Sequence, residues 1–182
     1  MGEPRILKRT EGQVSPWVRL VAKDVLTAAG SEPQTYHCLA QADYVTIVAR
    51  LPDGRLPIVR QFRPAVEQDT WELPAGLLES NEDAESAAKR ELLEETGAEP
   101  GQVVHLGTLY PDTGRLENRI HIVAVEATLP RPDFVPEPGL SVSLVAPSQL
   151  RTMILMGDFS HQLHVGALAL AELKGFRTGV FA

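Results

Sequence analysis

Cysteine is almost missing from this sequence. Cys38 stands alone among 182 residues, so no internal disulfide can form and the fold must be held by packing. In its apolar-rich stretch this thiol is expected to be buried, and a reducing, cytoplasmic setting is expected for the chain. Long apolar runs are missing too. No stretch approaches the roughly 18 apolar residues of a membrane helix, and the polar segment Met1–Gly12 has no signal-type apolar core. Neither membrane association nor export is therefore expected. Positive charge is short as well, with 17 Lys and Arg against 24 Asp and Glu, a net −7 at pH 7. Without a basic run, such a chain repels phosphate backbones, which disfavours nucleic acid as a partner. An acidic chain can still take a phosphorylated small molecule where divalent cations neutralise both sets of anions. Internal repeats, low-complexity tracts and domain-dividing linkers are absent.

What is present suits one globular core, with 43% apolar and 23% charged residues. Apolar runs at Val18–Ala22 and Tyr36–Ala40, separated by the turn-rich Ala29-Gly30-Ser31-Glu32-Pro33, predict a hairpin or small antiparallel sheet. Tyr44–Ala49 and Leu56–Val59 flank Pro52-Asp53-Gly54, and β-branched runs on both sides of Asp-Gly predict two strands paired as a hairpin. Asp83–Glu95 contains no Gly or Pro and predicts a helix stopped by Gly97. Strands are expected at Val103–Tyr110, Ile120–Ala127 and Ser141–Val145, and helices at about Ser148–Met156 and Phe159–Lys174, the second ended by Gly175. Pro130–Gly139 holds four prolines and reads as a loop long enough to be functional. Strands and helices without regular alternation point to an α/β fold with a mixed sheet flanked by helices.

The chemistry concentrates on the first helix. At about 100° per residue, Ala84, Ala87, Ala88 and Leu92 form one stripe, and Glu91 and Glu95 fall inside it. Glu85, Ser86 and Lys89 take the solvent side, whereas Leu93 sits opposite the stripe and needs cover of its own. Carboxylates turned toward a core require protons, cationic partners or metal. Glu94 shares their arc, so three carboxylates converge within one turn and need a counter-charge. Oxygen donors of this kind suit magnesium or manganese better than zinc. The wheel alone also fits a solvated acidic helix end. Arg90 is placed to bridge Glu82 or Glu94 and hold a carboxylate in position, or to form a plain surface ion pair. His161 and His164 lie one turn apart, yet no Cys or third His keeps zinc-type spacing with them.

Gly76, Glu82, Arg90-Glu91-Leu92, Glu94-Glu95 and Gly97-Ala98 stand at the spacing of the Nudix box, and the chain resembles Nudix hydrolases on that account. The resemblance implies a Nudix-type α/β/α sandwich with a mixed sheet, in which the box holds divalent cations against a diphosphate. It further implies that Glu91 and Glu95 ligate magnesium, with manganese possible. Glu94 would contribute directly or through water, and the Ala75 carbonyl would complete the set. The segments Arg60-Gln61-Phe62-Arg63-Pro64, Trp71-Glu72-Leu73-Pro74-Ala75-Gly76 and Tyr110-Pro111-Asp112-Thr113-Gly114 are similar to the ADP-ribose pyrophosphatase branch. That branch implies a homodimer exchanging a small N-terminal antiparallel sheet, here residues 1–40, beside a hydrolase domain at 41–182.

The same resemblance places Arg63 on substrate phosphates, a task suited to its planar fork, with Glu72 among the substrate-binding residues. Trp17 and Tyr36 are candidates to sandwich the base, or simply core residues. The general base is expected from the Pro130–Gly139 loop. Glu137 is the choice, Asp133 the other carboxylate there, and Glu94 the fallback. The expected reaction cleaves a nucleoside diphosphate sugar, ADP-ribose first, to AMP and ribose 5-phosphate. Pro111 falls about two residues early for the branch's substrate marker, which leaves other nucleotide sugars such as a GDP-sugar open. Dinucleoside polyphosphates and a sensor that binds without turnover are the further alternatives.

Overall fold

Alternating side chains along two neighbouring strands build the centre of the fold. In β4 (Tyr44–Arg50) and β9 (Ile120–Ala127), Val45, Ile47, Ala49, Val123 and Val125 pack to one side, and Val48, Ile120, Ile122 and Ala124 to the other. All are buried, and a strand covered on both faces reads as one continuous apolar run. β4 and β9 pair in parallel, Tyr44 opposite Ile120. β7 (Ala75–Leu77) and β8 (Pro100–Leu109) add antiparallel strands outside them, giving a mixed sheet in the order β7-β4-β9-β8.

Helix α1 (Ala84–Thr96) covers the first face with Ala87, Ala88 and Leu92. Against the second face pack Ala167, Leu168 and Ala171 of α3 (Gln162–Leu173), with Leu150 of α2 (Pro147–Met156) in the same core. The α/β/α layering that the resemblance implies is present. A second sheet, β10-β5-β6, joins β5 (Leu56–Arg63) to β10 (Ser141–Val145) and β6 (Gln68–Glu72), both antiparallel.

The computed structural model describes residues 3–27 and 32–182, so residues 29–31 of the expected turn at 29–33 lie outside the described residues. They divide into two compact units. Residues 44–109 and 120–182 form the layered unit; 3–27, 32–43 and 110–119 form the other. In the latter, β1 (Arg5–Ser15), β2 (Val18–Leu26) and β3 (Gln34–Ala40) make an antiparallel sheet. The segment 110–119 lies along β3, its Arg115 carbonyl accepting from the Leu39 N–H at 2.8 Å and its Glu117 N–H donating to the Leu39 carbonyl at 3.0 Å.

Several expectations need correction. The Asp-Gly turn forms, with Gly54 at φ 81 and the Leu51 N–H donating to the Arg55 carbonyl at 2.9 Å, but β4 and β5 do not pair. Both edges of β4 are taken, by β9 and β7, so β5 goes to the other sheet. The last helix starts at Gln162 rather than Phe159, because Phe159 turns into the core and its N–H closes on the Met153 carbonyl at 3.1 Å. No strand is expected at β1, because its residues carry no apolar period; in the fold its side chains are nearly all exposed. Cys38 is only partly buried, its thiol donating to Glu117 Oε1 at 3.4 Å. Glu117 also pairs with Arg9 at 2.7 Å and with Lys23, and these hydrogen bonds hold its carboxyl at about 2. Among the described residues no helix is long and apolar enough to cross a membrane.

Candidate active site

Local sequence sets both ends of α1. The Asp83 carboxylate caps the N-terminus by accepting from the Ser86 N–H at 2.8 Å. At the other end Gly97, at φ 68, sends its N–H to the Leu93 carbonyl at 2.9 Å. Between these caps Ala87, Ala88 and Leu92 are fixed in the core, and their packing sets the rotation of the helix. Glu91 and Glu95 are consequently carried toward β7 and half-buried, whereas Glu94 remains exposed.

Two features of β7 receive them. The Ala75 N–H donates to Glu95 Oε2 at 3.0 Å. Gly76 has no Cβ, and one built there would stand 1.8 Å from Glu91 Oε1, so the Glu91 carboxylate occupies the space a side chain would fill. Arg90 reaches four groups. Its Nε and Nη2 fork onto Glu82 at 3.0 and 2.8 Å, Nη1 donates to Glu91 at 2.7 Å and to Glu94 at 3.4 Å, and Nη2 also reaches the Leu77 carbonyl at 3.1 Å. Between the two positions anticipated for it, Arg90 occupies both.

Burial dominates the electrostatics here. It raises the Glu95 carboxyl to about 8; the Ala75 N–H and Arg63 oppose it, while Glu91 and Glu72 add to it. Burial also raises Glu91, with Arg90 pulling the other way. Carboxylates that hold protons this readily lack positive charge, and the Ala75–Glu95 region offers oxygen donors in a cluster. Donor type and charge deficit together fit a hard divalent cation bound by Glu91, Glu94 and Glu95.

The carboxylates line a cavity of about 360 Å³ that is also lined by Glu137, Pro138 and Leu140. Asp133, the other carboxylate of the loop, is not among the lining residues. Gln61 and Phe62 of β5 also line it; they stand in the quoted segment Arg60-Gln61-Phe62-Arg63-Pro64, of which only Arg63 was expected at the site. The neighbouring Arg63 points to Glu72, with Nε to Oε1 at 2.8 Å and Nη2 to Oε2 at 2.5 Å, and Thr70 adds its hydroxyl at 2.6 Å. Glu72 is 1% exposed. Burial would raise its carboxyl, yet Arg63 and Thr70 together pull it below the ordinary value. Glu72 thus holds Arg63, a pairing across the β5–β6 hairpin that sequence spacing did not show.

His161 and His164 stack at 3.8 Å, and Glu72 brings a third potential ligand atom within 4.8 Å. Sequence spacing could not supply that third group. The tautomer nevertheless opposes a metal site. His164 Nδ1 accepts the Leu73 N–H at 3.0 Å, so the proton of the neutral ring sits on Nε2 and neither nitrogen has a lone pair for a cation. Burial depresses His164 to about 3, keeping it neutral.

In the other unit, Trp17 is 74% exposed and Tyr36 47%, so neither is core. Tyr36 pairs with Lys23, while Trp17 precedes Val18 in the β1–β2 turn. Six residues of strand separate them, roughly 20 Å, and a single sheet cannot bring the two rings face to face.

A family model described as NUDIX domain matches residues 40–161. An ADP-ribose pyrophosphatase of Bacillus subtilis is 34% identical over 82 residues, which is 45% of this chain and 44% of that protein. An ADP-ribose pyrophosphatase of Saccharomyces cerevisiae is 34% identical over 92 residues, 49% of this chain and 40% of that protein. The chain thus spans less than half the length of these relatives. A crystal structure titled as an ADP compounds hydrolase superposes with a TM-score of 0.78 over 97% of this chain and 98% of that one, at 21% identity. At that identity the likeness concerns the fold.

Proposed function

The chain belongs to the Nudix family, and from that premise we propose that it is a magnesium-dependent hydrolase of the diphosphate in a nucleoside diphosphate sugar, with ADP-ribose cleaved to AMP and ribose 5-phosphate. One observation carries the reading. Glu91 and Glu95, held against Gly76 and Ala75, line a cavity that Glu137 also lines. The names of the relatives support the substrate class.

Glu91, Glu94, Glu95 and the Ala75 carbonyl would hold magnesium, or manganese in its place, which would supply Lewis-acid charge to the phosphoryl oxygens and acidify water. The chain's own residues do the rest. Arg63, steadied by Glu72, binds a phosphate with its free donors. Arg90 orients Glu91. Glu137 accepts a proton from the attacking water as its oxygen bonds to phosphorus, and the anhydride P–O bond breaks with its electron pair leaving on the departing phosphate. If Glu137 does not serve, Glu94 is the carboxylate on the same cavity able to take that proton.

In this reading the N-terminal strands, residues 1–40, form a dimerisation sheet, and residues 41–182 the hydrolase domain. Ile6, Leu7, Val14, Trp17 and Leu20 are exposed on the described strands and suit cover by a second copy. Trp17 and Tyr36 then meet a base from separate subunits. The lone cysteine suits a reducing cytoplasm.

Incubation with a panel of nucleoside diphosphate sugars and magnesium, followed by product separation, tests the proposal. ADP-ribose should yield AMP. The Glu95→Gln variant should fold normally and lose most of that turnover, on the order of a hundredfold or more. Binding without product would establish a sensor instead, and preferential cleavage of a GDP-sugar would move the substrate. Near-normal turnover by Glu95→Gln would remove Glu95 from the metal site.

A further inference from the structure

Gly97 ends α1 at φ 68, which by itself accounts for a glycine. A second constraint acts at the same position. A Cβ on residue 97 would stand 2.3 Å from Phe134 Cγ and 2.6 Å from Phe134 Cβ and Cδ2, so the half-buried Phe134 ring fills the notch that the glycine leaves. Phe134 belongs to the Pro130–Gly139 loop, which carries Glu137. The same end of the loop is tied down by backbone bonds. The Arg131 N–H donates to the Gly97 carbonyl at 3.1 Å, the Phe134 N–H to the Arg131 carbonyl at 3.1 Å, and the Thr128 N–H to the Glu99 carbonyl at 3.0 Å. Its far end enters β10, where Ser141 pairs with Arg60.

Between Phe134 and Glu137 stand only Val135, which is 83% exposed, and Pro136. Proline fixes its φ near about −65°, so a shift of the ring passes along a stiff step to the carboxylate. Past Glu137 the Leu140 N–H returns to the Glu137 carbonyl at 3.0 Å, closing a turn through Pro138 and Gly139. The helix that bears Glu91, Glu94 and Glu95 therefore also carries, at its C-terminal end, the seat of the loop that lines the same cavity.

We propose that Phe134 is a positioning residue. Seated on Gly97, it docks the Pro130–Gly139 loop to the end of α1 and sets the distance between Glu137 and the metal-binding carboxylates. This rests on the reading of Glu137 as the group that takes the proton from water.

A double-mutant cycle tests it, with kcat and KM for ADP-ribose, magnesium affinity and thermal melting measured for the parent, Phe134→Ala, Phe134→Leu, Glu137→Gln and the double variant Phe134→Ala/Glu137→Gln. Phe134→Ala should lower kcat on the order of ten- to a hundredfold, because small misplacements of a reacting group cost that much. KM and magnesium affinity should stay within about twofold of the parent, unlike a general loosening of the site. Phe134→Leu should restore most of the rate. In the Glu137→Gln background Phe134→Ala should cost less than about twofold, since the group it positions is gone. An equal loss in both backgrounds, or an unchanged kcat for Phe134→Ala beside an impaired Glu137→Gln, overturns the positioning role alone. A Glu137→Gln variant with parental kcat overturns the assignment of the base and the proposal with it, and an inactive parent overturns the whole functional reading. Should Phe134→Ala fail to fold, Phe134→Leu runs the same cycle, and its smaller loss must also vanish without Glu137.

Discussion

Glu72 and Glu95 are both carboxyl groups taken out of water, and their neighbours send them in opposite directions. Burial raises each. Arg63 and Thr70 more than offset it at Glu72, whereas the Ala75 N–H and the more distant Arg63 charge leave Glu95 at about 8. One becomes a standing anion that fixes an arginine; the other is left short of positive charge beside a cavity. His164 shows the same physics for a base. Its folded-state value of about 3 lies below the ordinary 6.5, so on acidification the unfolded chain takes up this proton first. The stability tied to His164 is complete above about pH 6.5 and is lost as pH falls from there toward 3. Between pH 7.5 and 5 the loss should be about 2 kcal/mol. Urea unfolding at the two pH values measures it as the difference between the parent and His164→Asn, which keeps an acceptor for the Leu73 N–H, because the raised Glu95 carboxyl titrates in the same window with the opposite sign and cancels in that difference. A variant with the parent's pH slope would place the titration elsewhere.

At the scale of elements, α1 was legible because its determinants are local. Asp83, a run of helix formers and Gly97 lie within one short stretch, and the alanine stripe states which side faces inward. The expected β4–β5 hairpin does not form because an Asp-Gly turn settles only the reversal of direction, while strand partners are chosen by β7, β9, β6 and β10 from elsewhere in the chain. β7 is three residues long and invisible to periodicity, yet it supplies the surface that receives two carboxylates. Gly76→Ala tests that surface. A methyl placed 1.8 Å from Glu91 Oε1 must displace the carboxylate, and magnesium affinity should fall on the order of tenfold. Titration calorimetry beside a thermal melt measures this; parental affinity would show that the Glu91 position is not critical.

For the whole molecule, the exposed apolar residues of the β1–β2–β3 sheet are the feature that the fold of one chain leaves unexplained. Covered by a second copy, they should give a dimer in light scattering after size exclusion, at twice the chain mass. Ile6→Glu together with Val14→Glu should shift it to a monomer, because uncompensated charge at a buried interface opposes association. A monomeric parent protein would end the dimer reading. Trp17 and Tyr36 illustrate why sequence could not settle their role: each suits a base, but the register of β2 and β3 keeps them apart on one sheet.

By itself the sequence determined the glutamate helix, its stop at Gly97 and the spacing from Gly76 to Ala98, since all of these depend on residues close along the chain. Tertiary structure alone decided that Glu95 meets the Ala75 amide, that Glu72 is the partner of Arg63, that His164 spends its free nitrogen on Leu73, and that Phe134 fills the notch at Gly97. Each of those pairs is joined across the fold by packing and burial, and no local pattern encodes which distant residue will arrive to satisfy a buried polar group or fill a missing side chain.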